Sequence, residues 1–240
     1  MKLSTDDLMD AEAYRQYRAA HRRRLAAHRE ARTVALGPAM RLQFEDALTV
    51  RWQIQEVLRS DNAFDAQSMQ HEIDTYAHLL PDGRQWKATL FIELPEAEAR
   101  RRDLPALSEA AHQLYVEVGR HGRARVQASD QADEAAGRRW QRCGAVGRVL
   151  AEANEDLPDR HLGRPSAVHF LRFALPEPLR AALLAGAPAA LGCRHERYSF
   201  RRLIPPRTLL ALCSDIAASP PRTRRVPAGE APPVAERSAA

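Results

Sequence analysis

Trp86-Lys87-Ala88-Thr89-Leu90-Phe91-Ile92-Glu93-Leu94 is the stretch from which the fold can be read. Trp86, Ala88, Leu90, Ile92 and Leu94 alternate with Lys87, Thr89, Phe91 and Glu93. A strand sends successive side chains to opposite faces, so this period of two predicts a β-strand with one buried face. Immediately upstream, Pro81-Asp82-Gly83 predicts a turn, because proline presets φ and glycine tolerates a positive one.

Moving toward the N-terminus, the period becomes helical. Ala66 to His78 and Asp46 to Arg59 predict two helices, the latter with Ala47, Val50, Ile54, Val57 and Leu58 on one side. Thr33 to Leu36 and Met40 to Phe44 predict two short strands around Gly37-Pro38. From Asp10 to Arg32 nothing breaks a helix. Tyr14, Tyr17, His21, Leu25 and His28 share its inner face, and Arg15, Arg18, Arg22 and Arg29 form a ridge beside it. Ser4 to Asp7 offers side-chain oxygens for the free N–H groups of a first turn.

Toward the C-terminus, Pro95 to His112 predicts a helix. Gln113 to Gly119 and Arg123 to Ala128 predict two strands joined around His121-Gly122. Ser166 to Leu175 predicts a strand, Pro176 to Ala185 a helix, Ala189 to Arg194 and Tyr198 to Leu203 two strands, and Arg207 to Ala217 the last helix. The Gly119 to Arg123 link is too short for a parallel crossover. The expected class is therefore α+β, with a mostly antiparallel sheet, flanking helices, and N-terminal helices preceding the sheet. Residues 1–218 are expected to form one domain. Residues 129–164 read as a polar insertion with a helical middle around Trp140 to Leu150. Residues 219–240 are rich in Pro, Ala and Arg and read as a disordered tail.

Composition narrows the function classes. The net charge is +5, but lysine occurs only at Lys2 and Lys87, and arginine rises together with alanine, as GC-rich coding produces. The basic excess is spread along the chain, and few aromatics interleave with the Arg15, Arg18 and Arg22 ridge, so nucleic acid is not the expected partner. No run of about 18 apolar residues suggests a membrane span. Lys2 is followed by Ser4, Thr5, Asp6 and Asp7 rather than by the apolar stretch of a secretory signal, and a cytoplasmic location is expected. Cys143, Cys193 and Cys213 are widely spaced and read as reduced thiols. No glycine-rich phosphate loop and no G-x-S-x-G elbow occurs.

Several residues remain candidates for chemistry. His169 alternates with Ala167, Leu171 and Phe173, which reads either as a hydrogen-bonded core histidine or as a ligand or base in a cleft aided by Glu56, Lys87 or Asp82. His71, Asp74 and His78, at i, i+3 and i+7, suit a divalent metal or a solvated helix face. Glu109 and His112 give one E-x-x-H unit, and a di-iron bundle needs two. No cofactor is expected from the motifs. Trp52, Gln53, Glu56 and Arg59 fall opposite or beside the apolar stripe of their helix. That face either meets a protein partner, as exposed tryptophans do, or is covered within the fold.

Three blocks also resemble a known family. They are Val34 to Pro38 with Leu42 to Glu45 and Thr49 to Leu58; Glu72 to Tyr76 with Leu80 to Arg84 and Lys87 to Leu90; and Ser166 to Phe173. In this order they resemble a bacterial family classed as a domain of unknown function, over about residues 1–128 and 165–215. The chain departs from it in the insertion and the tail. The resemblance implies a context beside rubrerythrin-like proteins and an iron–sulfur protein similar to a heterodisulfide reductase subunit. That context implies a role near peroxide detoxification or electron transfer, and it supplies no catalytic residue. The expectation is an accessory or interaction protein of such a system, with a small-molecule or metal-dependent enzyme as the alternative and nucleic-acid binding through Arg15, Arg18 and Arg22 as a third reading.

Overall fold

The structure, a computed structural model, describes residues 3–119, 145–153 and 165–217. Among them the elements run, in chain order, α1 (Ala11–Glu30), β1 (Thr33–Leu36), β2 (Met40–Phe44), α2 (Ala47–Asp61), α3 (Ala66–Tyr76), β3 (Gln85–Ile92), α4 (Ala97–Ala110), β4 (Leu114–Gly119), β5 (Ala145–Leu150), β6 (Glu152–Ala153), β7 (Val168–Ala174), α5 (Glu177–Leu184), β8 (Ala189–His195), β9 (Tyr198–Leu203) and α6 (Pro206–Ala217). The class is α+β, as the alternation and helix order predict.

The strand read from Trp86 to Leu94 is β3, the middle strand of a five-stranded sheet ordered β1-β2-β3-β7-β6. A second, four-stranded sheet is ordered β5-β4-β8-β9. Every pairing in both is antiparallel. One continuous sheet had been the expectation. The fold divides because β4 pairs with β8 and β5, and not with any strand of the β3 sheet.

The helical middle expected around Trp140 to Leu150 is corrected. Ala145–Leu150 is strand β5, paired along β4 with Val149 opposite Val116. Gly147 and Val149 are poor helix formers, and strand pairing overrides the weak helical reading. After Ala151 the chain continues as β6 and joins the other sheet against β7. The Ala151 N–H donates to the Leu114 carbonyl at 2.8 Å. Residues 145–153 thus belong to both sheets. The strand expected over Arg123 to Ala128, Cys143, the remainder of 129–164 and the 219–240 tail lie outside the described residues.

The core lies between the sheets. Met40, Leu42, Phe44, Trp86, Ala88, Leu90, Leu171 and Phe173 from one sheet meet Leu114, Val116, Leu191 and Cys193 from the other. Leu107 of α4, Leu179 and Leu183 of α5, and Leu209 and Leu212 of α6 close it. The opposite face of the five-stranded sheet is covered by α2 and α3. Val50, Ile54 and Leu58 pack there on Ile73, Leu79 and Phe170. α1 lies outside α2, with Tyr14 and Leu25 buried against Trp52. Tyr17, read as an inner-face residue, is 59% exposed. No described helix is long and apolar enough to cross a membrane.

Local chemistry fixes the joints. Asp10, rather than the Ser4 to Asp7 cluster, caps α1, accepting from Ala13 N at 2.8 Å. Ser4 and Asp7 cap a separate turn over Thr5–Asp7. Asp46 caps α2, accepting from Leu48 N and Thr49 N, each at 3.0 Å. The Gln55 side chain accepts from Met9 N at 2.6 Å and donates to Met9 O at 3.2 Å, holding the segment before α1 onto α2. At the β1–β2 turn Gly37 has φ +69°, and a Cβ there would stand 2.7 Å from the Tyr198 hydroxyl. That hydroxyl donates to Leu36 O at 2.5 Å and accepts from Ala39 N at 2.9 Å, which ties the turn to β9.

Candidate functional site

The alternation of β2 and β3 sends Met40, Leu42, Phe44, Trp86, Ala88 and Leu90 inward, so Gln43, Lys87 and Thr89 project to the other face. α2 and α3 cover that face only in part. A cleft of about 500 Å³ remains between them and the sheet. Its polar floor is Gln43, Glu45, Thr49 and Thr89, and its apolar walls are Val50, Leu79, Phe91, Val168 and Phe170. Gln53, Tyr76 and Arg29 also line it.

Glu45 is the centre of the floor. It is only 7% exposed. One carboxylate oxygen accepts from Gln43 Nε2 at 3.1 Å and Thr89 Oγ1 at 2.6 Å; the other accepts from Thr49 Oγ1 at 2.5 Å. A buried carboxylate needs such donors to replace lost water. Arg29 reaches the cleft from the last turn of α1. Its Nε is buried and has no hydrogen-bond partner. Burial pushes its proton affinity down, and Glu45 opposes that shift. Arg41 nearby is engaged: its guanidinium lies 4.9 Å above the Phe91 ring and pairs with Glu93 at 2.5 Å.

The four residues of the expected enzyme cleft are not brought together. His169 is 2% exposed and lies opposite Leu90 in the β3–β7 ladder, on the core side of the sheet. Its Nε2 is 2.9 Å from Ser166 O and 3.3 Å from Ser108 Oγ, which is the hydrogen-bonded core histidine of the two readings. Lys87 is buried on the cleft side of the sheet but does not line the cleft. Its carbonyl accepts from Glu45 N at 2.8 Å. Asp82 serves its turn, accepting from Arg84 N at 2.8 Å. Glu56 lies on the far side of α2.

Of the two readings of the tryptophan face, the structure shows the one in which the ring is covered within the fold. Trp52 is 6% exposed, with Tyr14 edge-on at 5.9 Å and the His21 ring at 5.1 Å. α2 is sandwiched, and α1 is what the ring meets. Gln53 and Arg59 are exposed. Glu56 accepts from Tyr14 at 2.6 Å and from Arg18 at 2.7 and 2.8 Å. The Arg18 guanidinium, aided by Tyr14, holds the Glu56 carboxyl at about 2. Because the folded value is below the ordinary 4.5, the stabilisation is full above the usual carboxylate range and is lost as pH falls through 4.5 toward 2. Glu56→Gln is expected to lose about 1–2 kcal/mol at neutral pH after allowing for solvent screening. Urea titrations should show that deficit disappear in acid; a deficit independent of pH would contradict the assignment.

His71 and Asp74 are exposed on α3, and α3 ends at Tyr76, so His78 falls in the following turn and out of helical register with them. His78 Nδ1 lies 2.8 Å from Thr75 O. No group of three His, Cys, Asp or Glu able to hold a metal occurs among the described residues. Glu109 and His112 are exposed. Of the arginine ridge, Arg15 pairs with Glu12 and Arg18 with Glu56. Arg15, Arg18 and Arg22 line an open groove of about 760 Å³ along α1 with Arg23 and Arg59.

The sequence profile of a family described as proteins of unknown function, DUF3501, matches residues 2–146 and 137–216. The chain belongs to the DUF3501 family. Among solved structures it is similar to a novel protein of unknown function from Burkholderia pseudomallei, with 34% identity, a TM-score of 0.76, and coverage of 90% of this chain and 100% of that one. No curated protein matches. The blocks that carry the family resemblance supply most of the cleft. Gln43, Glu45, Thr49, Val50, Gln53, Tyr76, Thr89, Ser166, Val168 and Phe170 all come from them. Reading those residues one at a time missed the cleft floor. The available signal was the polar run Arg41, Gln43, Glu45 alternating with apolar residues in a strand that helices cover on its polar side.

Proposed function

We propose that this DUF3501 member is an accessory protein that binds a small ligand in the cleft between α2, α3 and the five-stranded sheet. We further propose that it works with a peroxide-detoxifying or electron-transfer system of rubrerythrin-like and iron–sulfur proteins. The observation that carries the ligand reading is the polar floor centred on Glu45 beneath apolar walls. Small-molecule sites are commonly concave, largely apolar and about 300–1,000 Å³, with a few convergent polar groups. The cleft has that form. The redox association rests on the family resemblance. Of the four α2 residues considered for partner contact, Gln53 both lines the cleft and reaches solvent. Partner contact and ligand occupancy would therefore share an edge.

Ligand-observed NMR with a fragment library tests the first part. Val168→Trp places a large ring at an exposed position of the cleft wall. Fragments that bind the native chain are expected to be lost from this variant. Hits that persist undiminished would place binding elsewhere, and a screen without hits would end the ligand reading. Co-purification with the rubrerythrin-like and iron–sulfur proteins tests the second part; repeated failure to recover either would remove it.

A further inference from the structure

The cleft contains two opposite charges that do not meet. Arg29 and Glu45 both line it. Glu45 acts on Arg29 electrostatically, yet Arg29 makes no side-chain hydrogen bond or ion pair with any described residue. Glu45 is held by the neutral donors of Gln43, Thr49 and Thr89. A guanidinium half withdrawn from water and left without an acceptor is a costly arrangement. Two nearby acids are committed elsewhere, Glu93 to Arg41 and Asp46 to His28 and Arg32, and Glu30, beside Arg29 in sequence, is exposed and makes no ion pair with it. The same cleft has apolar walls that include Phe91, Val168 and Phe170.

We propose that the cleft takes a small amphoteric ligand, its anionic group seated on Arg29 and a donor group, an ammonium or a hydroxyl, seated on Glu45. This rests on the cleft being the ligand site and adds the ligand's chemical class. The guanidinium fork matches a carboxylate or phosphate in two bonds. The fixed carboxylate of Glu45 selects a donor at the other end. A ring or branched aliphatic body would lie along the phenylalanine walls. A ligand with only the donor group would leave the Arg29 guanidinium without an acceptor, and one with only the anionic group would forgo the contact with Glu45; such unmade polar contacts are the basis of strong discrimination in polar sites.

The test uses the full chain and four defined probes: phenylalanine and 4-(aminomethyl)benzoate, which carry both groups at different separations, 3-phenylpropionate with the acid alone, and phenethylamine with the amine alone. Affinities are read by ligand-observed NMR. At least one two-group probe is expected to bind about tenfold or more tightly than either single-group probe. Arg29→Gln should reduce that probe to the level of the amine, and Glu45→Gln should reduce it to the level of the acid. Arg29→Lys, which keeps the charge without the fork, should recover part of the loss and guards against a folding artefact. Equal binding of one-group and two-group probes, or indifference to Arg29→Gln, overturns the inference. If none of the four probes binds while fragment hits are still lost in Val168→Trp, the amphoteric class is wrong and the cleft stands. If fragment hits fail as well, the cleft reading falls with it.

Discussion

Replacing Asp215 by alanine is expected to remove about 3–5 kcal/mol of stability, because it breaks the direct ion pair of a buried guanidinium and leaves only the more distant, shared Asp46 beside it. Arg32 is 2% exposed. It ends the connection from α1 to β1 and is surrounded: its Nε donates to Phe44 O at 3.1 Å, one terminal nitrogen reaches Glu45 O at 3.3 Å, and another lies 3.4 Å from Asp46. Asp215 of α6 closes the set with a direct ion pair. Burial raises the Asp215 carboxyl, and Arg32 resists that rise. Asp46 is shared, since it also takes His28 Nε2 at 2.6 Å and caps α2. The network therefore joins the first helix, the strand leading to the cleft floor, and the last helix. Urea unfolding of Asp215→Ala reads the loss directly. The double variant Arg32→Met, Asp215→Leu should recover much of it, since replacing a whole buried pair by apolar groups is often neutral. A single-variant loss below about 1 kcal/mol would show that the other partners of Arg32 suffice.

The second large effect is expected at Trp86. Truncating a buried aromatic to alanine typically removes about 3–5 kcal/mol, from lost transfer energy and from the cavity left behind. The Trp86 ring is 1% exposed and meets the edge of Phe44 at a centroid distance of 5.8 Å. Its Nε1–H donates to Leu212 O at 3.2 Å, which ties β3 to α6. Trp86→Ala should lower the melting temperature on the order of 10 °C for a chain of this size. Trp86→Phe, which keeps most of the volume and loses the donor, should recover more than half of that shift. If the two variants melted alike, the hydrogen bond to α6 rather than the packing would be the dominant contribution.

The sequence shows the elements of this fold more clearly than their assembly. The period of two across Trp86 to Leu94 and the punctuation at Gly37-Pro38 and Pro81-Asp82-Gly83 are local, and β1, β2 and β3 appear where those signals put them. The division into two sheets depends on pairs such as Val116 with Leu191. Such pairs are far apart in the chain, and no local pattern encodes them. Ala145–Leu150 is the clearest miss, because six residues of mixed propensity take their conformation from β4. Alternation put His169 with Leu171 and Phe173, which is where it lies, but it does not say which face of a two-sided sheet is the open one. Trp52 posed the same difficulty. That Trp52 falls opposite the apolar stripe of α2 is visible in the sequence, whereas its cover, Tyr14 of α1, is known only from the packing. From the sequence Arg29 is one member of an arginine ridge. Its approach to Glu45 comes from the way α1 ends above β2.

The passage of the chain from β5 to β6 has a mechanical consequence. One residue, Ala151, separates a strand of one sheet from a strand of the other, and its N–H is fastened to Leu114. Load applied to either sheet therefore passes to the other through a link too short to act as a hinge, and the Tyr198 clasp on the β1–β2 turn opposes shear at another point. The two sheets should respond as one stiff plate. Any breathing that admits or releases a guest at the cleft must then come from the opposite side, by α3 and the turn over Ala77–Leu79 lifting from Phe170, on the microsecond-to-millisecond scale of small element displacements.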